Sequence, residues 1–433
     1  FGSSRSDPRL GKLPGSLVGR RLGRSPCEFG RCGAKAMPSH ATTELLYIHP
    51  ALKLVDLGSR GQGYVAGKSI RRGELLLEER PVVWDSGKNP NQPDLSGGVE
   101  WLLRSGVVHE LPGAGLAEHL TLDDRAAAVA ARCAFRNQSP CADGSYAAML
   151  FRVSSRFNHS CFPNAGASAP DNSEVASVAE YEPVPMSTFA LEDVQKGEEV
   201  CICYLSDADQ LSPTHARQAA LREGWGFECS CRRCQGGRPL DTRLEGFSEE
   251  FQYERGFERS RAVASANRDF RALFDPTAED YNPPTDDFEG TVERLKQFLE
   301  QHKALDKAHC VIQRVRRELV AALLLDGPDG QIGRRFAGPA AALLVEEMLV
   351  LSELLPMLSP CKAPLYARFL RVVRHLPDRE AHLFRRDAKT DGCELWHRNA
   401  LWLHWPAEAR RLGAEAPLTL PPRPAPGPPP RTG

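Results

Sequence analysis

Two short stretches concentrate the reactive side chains of this 433-residue chain. The stretch "FECSCRRC" sets Cys229, Cys231 and Cys234 within six residues. That spacing is too tight for ordinary disulfides and suits three corners of a tetrahedral zinc–thiolate site, whose Zn–S bonds are about 2.3 Å. The fourth corner belongs either to another residue, which closes a structural site, or to water, which leaves a catalytic site open. Chance clustering in a cysteine-rich chain is the competing reading. The second stretch, "RFNHSCFPNA", puts an amide, an imidazole and a thiol between Asn158 and Cys161. On a strand His159 and Cys161 point the same way, so a nucleophilic pair is geometrically possible. Cys–His nucleophile pairs are normally distant in sequence, and no oxyanion-hole glycine run accompanies this one, which disfavours a protease or acyltransferase.

A third stretch, "GEEVCICY", reads as a strand ending at Tyr204, with Cys201 and Cys203 on one face and Tyr204 on the other. Alone it says no more than small core cysteines and a tyrosine at the edge of the core.

These residues need elements to hold them. The glycine-punctuated "GSRGQGYVAG" follows Leu54 and Val55 and leads into "KSIRRGELLLEERPVVW", which alternates apolar runs with turn signals. "FALEDVQKGEEVCICYL" repeats that grammar: Ile70–Glu74 and Val194–Glu198 each place an apolar residue, intervening polar residues and then Gly-Glu. The repeat predicts two hairpins of one β-rich domain. The intervening insertion, about 85–145, has helical spacing in "GGVEWLLRSGVVHEL" and "DDRAAAVAARCAFR", with Asp123 or Asp124 as N-cap. Beyond Gly237 strand signals stop and helical periodicity takes over to about Trp405, with Ile312, Val315, Leu319 and Leu323 on one face. The acidic "DPTAEDYNPPTDDFEG" reads as a solvated joint.

The bulk composition narrows the class. With 41% hydrophobic and 26% charged residues the chain is of globular type. A net charge of -1 gives no support to phosphate-backbone binding, so direct nucleic-acid binding is not expected. No apolar run reaches the roughly 18 residues of a spanning helix. Thirteen scattered cysteines fit a reducing compartment with some metal-bound thiolates better than a disulfide framework. Residues 1–36, with eight Lys/Arg against Asp7 and Glu28, read as a disordered arm or, alternatively, a targeting segment. The Pro-rich 413–433 reads as a disordered tail.

Taken in order, "GSRGQGYVAGKSIRRGELLLEERPVV", "SSRFNHSCFPNA", "FALEDVQKGEEVCICY" and "GWGFECSCRRC" resemble the SET-domain protein lysine methyltransferases, most closely the SMYD-type and SET-plus-helical-repeat branch. The motifs cover about 51–235. The resemblance implies an α+β protein: a β-rich SET fold over 46–236 with a helical insertion, a cysteine-rich post-SET zinc segment over 225–236, a helical or linker stretch over 237–290, and an all-α C-terminal domain over 291–405. It also implies roles for particular residues. Gly61, Gln62 and Gly63 would let the backbone wrap S-adenosyl-L-methionine, with Tyr64 beside them; glycine permits that close approach. Asn158 and His159 would hold the cofactor's amino-acid and adenine ends, partly through backbone groups. Phe227 would stack on the adenine. Tyr204 would be the catalytic tyrosine, also touching the cofactor, and Trp225 would wall the lysine channel with it. Cys161 would complete one structural Zn2+ site with Cys229, Cys231 and Cys234.

The sequence also departs from the pattern. The insertion holds only Cys133, Cys141, His109 and His119 as soft ligands, so no MYND finger is expected. Cys133 stands where the family often has a cofactor-contacting Asn, a contact that is then lost or supplied by Asn137. Trp225 replaces a more usual Tyr. The resulting expectation is an S-adenosylmethionine-dependent protein-lysine N-methyltransferase. It would act as a monomer, in cytoplasm or nucleus, on a protein substrate that could include histone. The alternative is a catalytically weak SET-fold zinc protein that serves as a scaffold through its helices.

Overall fold

The computed structural model describes residues 45–85, 99, 121–136, 148–168, 185–235, 243–247, 256–282, 288–324, 334–390 and 393–416. The arm over 1–36, the Pro-rich residues from 417 onward and Asn137 lie outside them, as does all of the first expected insertion helix but Val99. So does most of the insertion in which the absence of a MYND finger is expected.

Eleven strands are described: β1 (Leu45–Ile48), β2 (Leu52–Asp56), β3 (Gln62–Ala66), β4 (Leu75–Glu79), β5 (Val83–Asp85), β6 (Ala134–Arg136), β7 (Ala148–Leu150), β8 (Asn158–His159), β9 (Ala165–Ser168), β10 (Met186–Ala190) and β11 (Glu199–Ile202). They form three small sheets, ordered β1-β4-β10-β9, β2-β3-β11-β8 and β5-β7-β6. Every residue of the central strand β10 is buried. β8 pairs with β11 in parallel, Cys201 opposite Asn158 and Ile202 opposite His159.

The two turns of similar sequence are not hairpins. β3 and β4 sit in different sheets, and so do β10 and β11. The connectors pair with each other instead: Ile70 and Val194 exchange N–H···O bonds of 2.9 Å in both directions. Gly73 (φ 83°) and Gly197 (φ 87°) reverse the chain in the left-handed region, where a Cβ is costly. Their N–H groups then bond across, Gly73 to the Ala190 carbonyl at 2.8 Å and Gly197 to the Ala66 carbonyl at 2.7 Å. This quasi-symmetric clasp joins the two sheets and fixes β11 beside β3.

Helix α1 (Leu122–Cys133) starts two or three residues earlier than the aspartates suggest. Thr121 caps it: the Asp124 N–H donates to Thr121 Oγ1 at 3.1 Å, and Thr121 Oγ1 donates back to Asp124 Oδ2 at 2.7 Å. β6 follows Cys133 directly, so "AFR" is strand, not helix.

Three helices belong to the cysteine-rich part: α2 (Asp207–Gln210), α3 (Thr214–Trp225) and α4 (Arg232–Gln235). The rest build the C-terminal region: α5 (Gly256–Phe274), α6 (Phe288–Gln301), α7 (Cys310–Leu324), α8 (Arg334–Leu354), α9 (Lys362–Val373), α10 (Asp378–Thr390), α11 (Cys393–His404) and α12 (Pro406–Arg411). On α7 the stripe Ile312, Val315, Leu319 and Leu323 is at most 5% exposed, each side chain stabilising by roughly 1.5–3 kcal/mol. The chain stays ordered past 413: the Trp402 indole donates to the Glu415 carbonyl at 2.7 Å, and Arg398 pairs with Glu415 at 2.6 Å. The expected tail therefore loses its first residues to the helical core. No helix among the described residues is long and apolar enough to cross a membrane.

The helical region rests on the β-rich part through a few specific contacts. The Phe189 ring meets His404 edge-on at 5.8 Å, and the Arg72 guanidinium lies 4.5 Å from the Trp396 ring centre. A β-carbon on Gly166 would come within 3.1 Å of Pro360 and 3.0 Å of Leu191, so glycine there permits the close approach.

Candidate functional site: a four-cysteine cluster beside an aromatic pocket

Helix α3 ends at Gly226, whose left-handed φ of 77° lets its N–H reach the Leu221 and Arg222 carbonyls at 3.1 Å. The chain then turns back as Phe227–Cys229. Gln218 of α3 holds it there, donating to the Cys229 carbonyl at 2.7 Å and accepting the Cys229 N–H at 2.8 Å. The side chain thereby imitates a β-pair. A tight turn brings Cys234 back over Cys231, its N–H donating to the Cys231 carbonyl at 2.9 Å.

From the other side comes Cys161, fully buried just after β8. The sulfurs of Cys161, Cys229, Cys231 and Cys234 all lie within 4.8 Å of one another. A tetrahedral zinc with bonds of about 2.3 Å places its sulfurs about 3.8 Å apart, so four thiolates at this separation fit that ion. Three sulfurs also have an N–H partner. The Cys231 N–H donates to Cys229 Sγ at 3.4 Å, Arg217 Nη2 lies 3.7 Å from Cys234 Sγ, and His159 Nε2 lies 3.3 Å from Cys161 Sγ. Such donors offset the excess negative charge of a tetrathiolate site. Arg233, 2% exposed, braces the cluster through the Cys161 carbonyl at 3.2 Å and the Gln210 carbonyl at 2.9 Å.

An aromatic pocket adjoins the cysteines. Ring centres are 5.2 Å apart for His159–Tyr204, 5.9 Å for His159–Phe227 and 5.6 Å for Tyr204–Trp225. The Tyr204 hydroxyl donates to the Phe157 carbonyl at 2.6 Å, and the Tyr204 N–H to His159 Nδ1 at 3.0 Å. Burial first, and then the nearby Cys133 thiol, holds the Tyr204 phenol above its ordinary range. It is therefore a proton-bearing donor at neutral pH rather than a base. Burial holds the His159 imidazole down to about 4.

The glycine loop meets this pocket through Asn158. A β-carbon on Gly63 would sit 2.5 Å from Asn158 Nδ2 and 2.6 Å from Leu57 Cδ1, so the glycine makes room for the amide. Gly61, at φ 67°, has open space where its side chain would be. Asn158 Nδ2 donates to Glu199 Oε1 at 3.0 Å, while Glu199 also pairs with Arg60. The Gln62 amide oxygen accepts from Arg156 at 2.9 Å. Tyr64 stands apart from its neighbours. Its ring is 3% exposed, packs on Phe157 at 4.8 Å and sends its hydroxyl to the Val153 carbonyl at 3.4 Å. The side chain is thus a core element, because strand alternation turns it away from the loop's outer face, and only its backbone remains for a ligand.

Several residues that build the site went unnoticed in the sequence. Glu79, fully buried, accepts the N–H groups of Arg152 (3.0 Å), Val153 (2.9 Å) and Ser154 (2.9 Å) and the Ser154 hydroxyl (2.9 Å). It thereby fixes the start of the segment carrying Asn158. Asn164 donates to the Glu199 carbonyl and accepts the Cys201 N–H, both at 2.8 Å. Glu79 had a legible signal, an acid on the same strand face as Leu75 and Leu77. Gln218, Arg217 and Asn164 had none.

The chain is similar to known proteins in its β-rich part. The SET domain family model matches residues 61–205. Mouse protein-lysine N-trimethyltransferase SMYD5 is 42% identical over 85 residues, 20% of this chain and 18% of that protein. Histone-lysine N-methyltransferase SET5 of Meyerozyma guilliermondii is 37% identical over 86 residues, 20% of this chain and 16% of that protein. The matched stretch is thus less than a fifth of the length of these relatives. A solved structure described as the SET domain of LSMT bound to lysine and AdoHcy aligns with 85% of this chain and 92% of its own, at 14% identity and a TM-score of 0.28. Residues 61–205, in the β-rich part of this chain, match the SET domain family, and over about a fifth of its length the chain is similar to SMYD5 and SET5.

Proposed function

We propose that this protein transfers a methyl group from S-adenosyl-L-methionine to the side-chain amine of a lysine in a protein substrate, and that Cys161, Cys229, Cys231 and Cys234 hold one structural zinc. The observation that carries the reading is the Tyr204 hydroxyl donating to the Phe157 carbonyl at 2.6 Å, among the rings of His159, Trp225 and Phe227. The cofactor, when bound, supplies a methyl on a positively charged sulfonium. The Gly61–Gly63 backbone and Asn158 would hold its amino-acid end, with Phe227 against the adenine.

What remains for the chain's own residues is deprotonation and alignment. A free lysine amine has a reference pKa of about 10.4, and only the neutral amine is a nucleophile. Burial between Tyr204 and Trp225 disfavours the ammonium form, whose proton passes to solvent before the transfer. The Tyr204 oxygen and the Phe157 carbonyl are the polar atoms that could orient the amine. Holding nitrogen and methyl in line supplies roughly 7–11 kcal/mol, without any proton taken by tyrosine. The names of the relatives support protein lysine as the substrate class, with histones among the candidates.

The test is radiolabelled methyl transfer to lysate proteins and histones by wild type and Tyr204→Phe. Misplacement by about 1 Å costs on the order of 100-fold, and a loss of that order is expected. Equal labelling by both proteins would remove Tyr204 from its role. Labelling by neither would favour the scaffold alternative.

A further inference from the structure

Both ring nitrogens of His159 contact protein atoms. Its Nδ1 lies 3.0 Å from the backbone nitrogen of Tyr204. That N–H can only donate, so Nδ1 must carry a lone pair and the ring proton of the neutral imidazole sits on Nε2. A doubly protonated ring would set donor against donor. Nε2, in turn, lies 3.3 Å from Cys161 Sγ, and a zinc-bound thiolate is an acceptor. Both nitrogens are therefore committed to protein atoms, one to the metal cluster and one to the main chain of Tyr204.

The backbone reinforces the connection. His159 pairs with Ile202 across β8 and β11, and the Ser160 N–H donates to the Ile202 carbonyl at 2.9 Å. Strand pairing thus ends just before Tyr204, and the imidazole spans the remaining gap.

We propose that His159 is a positioning residue whose imidazole is a strut between the Cys161 thiolate of the metal cluster and the Tyr204 backbone. This rests on the reading of Tyr204 and the cysteines given above. Its consequence is that metal occupancy and the placement of the Tyr204 hydroxyl are coupled through one side chain, independently of cofactor binding. The cofactor would touch His159 only through its backbone.

The strut can be cut at either end in the full chain. His159→Asn keeps an acceptor near the position of Nδ1 and loses the reach to Cys161. His159→Gln keeps an N–H near the position of Nε2 and loses the acceptor for Tyr204. Losing a hydrogen-bond partner of a metal ligand costs about 10–100-fold in metal affinity. His159→Asn should therefore release zinc to a chromogenic chelator about 10–100-fold faster than wild type while the Tyr204 amide stays protected from hydrogen exchange. His159→Gln should hold zinc but lose that protection. In the wild type, nitrogen NMR should show the Nε2–H tautomer, and substitution by an NMR-active cadmium isotope should couple the metal to the Nε2 proton through the Cys161 sulfur. An Nδ1–H tautomer, a protein that binds no zinc, or equal loss of both properties in both variants would overturn the proposal. Where a variant fails to fold, the wild-type tautomer decides. None of these readouts requires methyl transfer, so an inactive wild type would defeat the proposed function and leave the strut standing.

Discussion

Replacing Glu79 by Ala is the sharpest perturbation of the scaffold. The carboxylate receives three backbone N–H groups and the Ser154 hydroxyl, all between 2.9 and 3.0 Å, at a fully buried position. Removing it leaves three N–H groups without their partner, that of Ser154 buried and those of Arg152 and Val153 part-buried, each costing about 1–3 kcal/mol. The hydroxyl can rotate to another acceptor, and water entering the vacated space recovers part of the loss. The expected destabilisation is then about 3–5 kcal/mol, towards the low end of the sum for three unpartnered donors. Glu79→Gln keeps one acceptor oxygen but turns an NH2 toward the Val153 and Ser154 donors, so a smaller loss of roughly 1–3 kcal/mol follows. Because residues 152–157 lead directly into Asn158, both variants should also weaken S-adenosylmethionine binding. Denaturant unfolding gives the stability and calorimetry gives the affinity. A Glu79→Ala protein within about 1 kcal/mol of wild type would refute this account of how the Asn158 segment is held.

Other perturbations give separate checks. Gly63→Ala would drive a methyl into Asn158 Nδ2 at 2.5 Å and Leu57 Cδ1 at 2.6 Å. Overpacking of that kind costs about 1–3 kcal/mol, and calorimetry should show weaker cofactor binding while zinc content stays unchanged. Cys229→Ser removes one of four thiolates, and metal analysis should fall from about one zinc per chain towards none, with the Phe227 segment more open to proteolysis; undiminished zinc would exclude this ligand set. Burial holds His309 and His404 at about 4, below the ordinary 6.5. The unfolded chain therefore takes up protons first as pH falls. Stability is full above about 6.5 and drains down to about 4, by up to roughly 3 kcal/mol for each group. Unfolding midpoints at pH 7.5 and 5 check the slope, which His404→Gln should flatten.

Much of this arrangement could be read from residue types, and the rest could not for definable reasons. The spacing of Cys229, Cys231 and Cys234 is local, so three of the four sulfurs can be read from one short stretch. The fourth sulfur comes from 68 positions earlier, and only the family resemblance pointed to Cys161. Helical periodicity in α7 and α8 reflects a core face that the structure buries. The turns at Gly73 and Gly197 show the opposite case. A left-handed glycine announces a reversal of the chain, but it does not say which strand the returning segment joins, and here each turn pairs with the other. Tyr64 misled by adjacency, since strand alternation separates it from the glycines it follows. Thr121 was overshadowed as a cap by two neighbouring aspartates. Glu79, Gln218 and Asn164 work by bonding to backbone atoms far away in sequence, and nothing in their local context names those atoms.

The central claim is methyl transfer to lysine at the Tyr204 pocket. The most direct measurement is hydrolysis of substrate proteins after incubation with the zinc-loaded full chain and methyl-labelled S-adenosylmethionine, followed by separation of the amino acids. The account predicts label in Nε-methylated lysine, lost on Tyr204→Phe. Label on another amino acid, or none above a no-enzyme control, would contradict it.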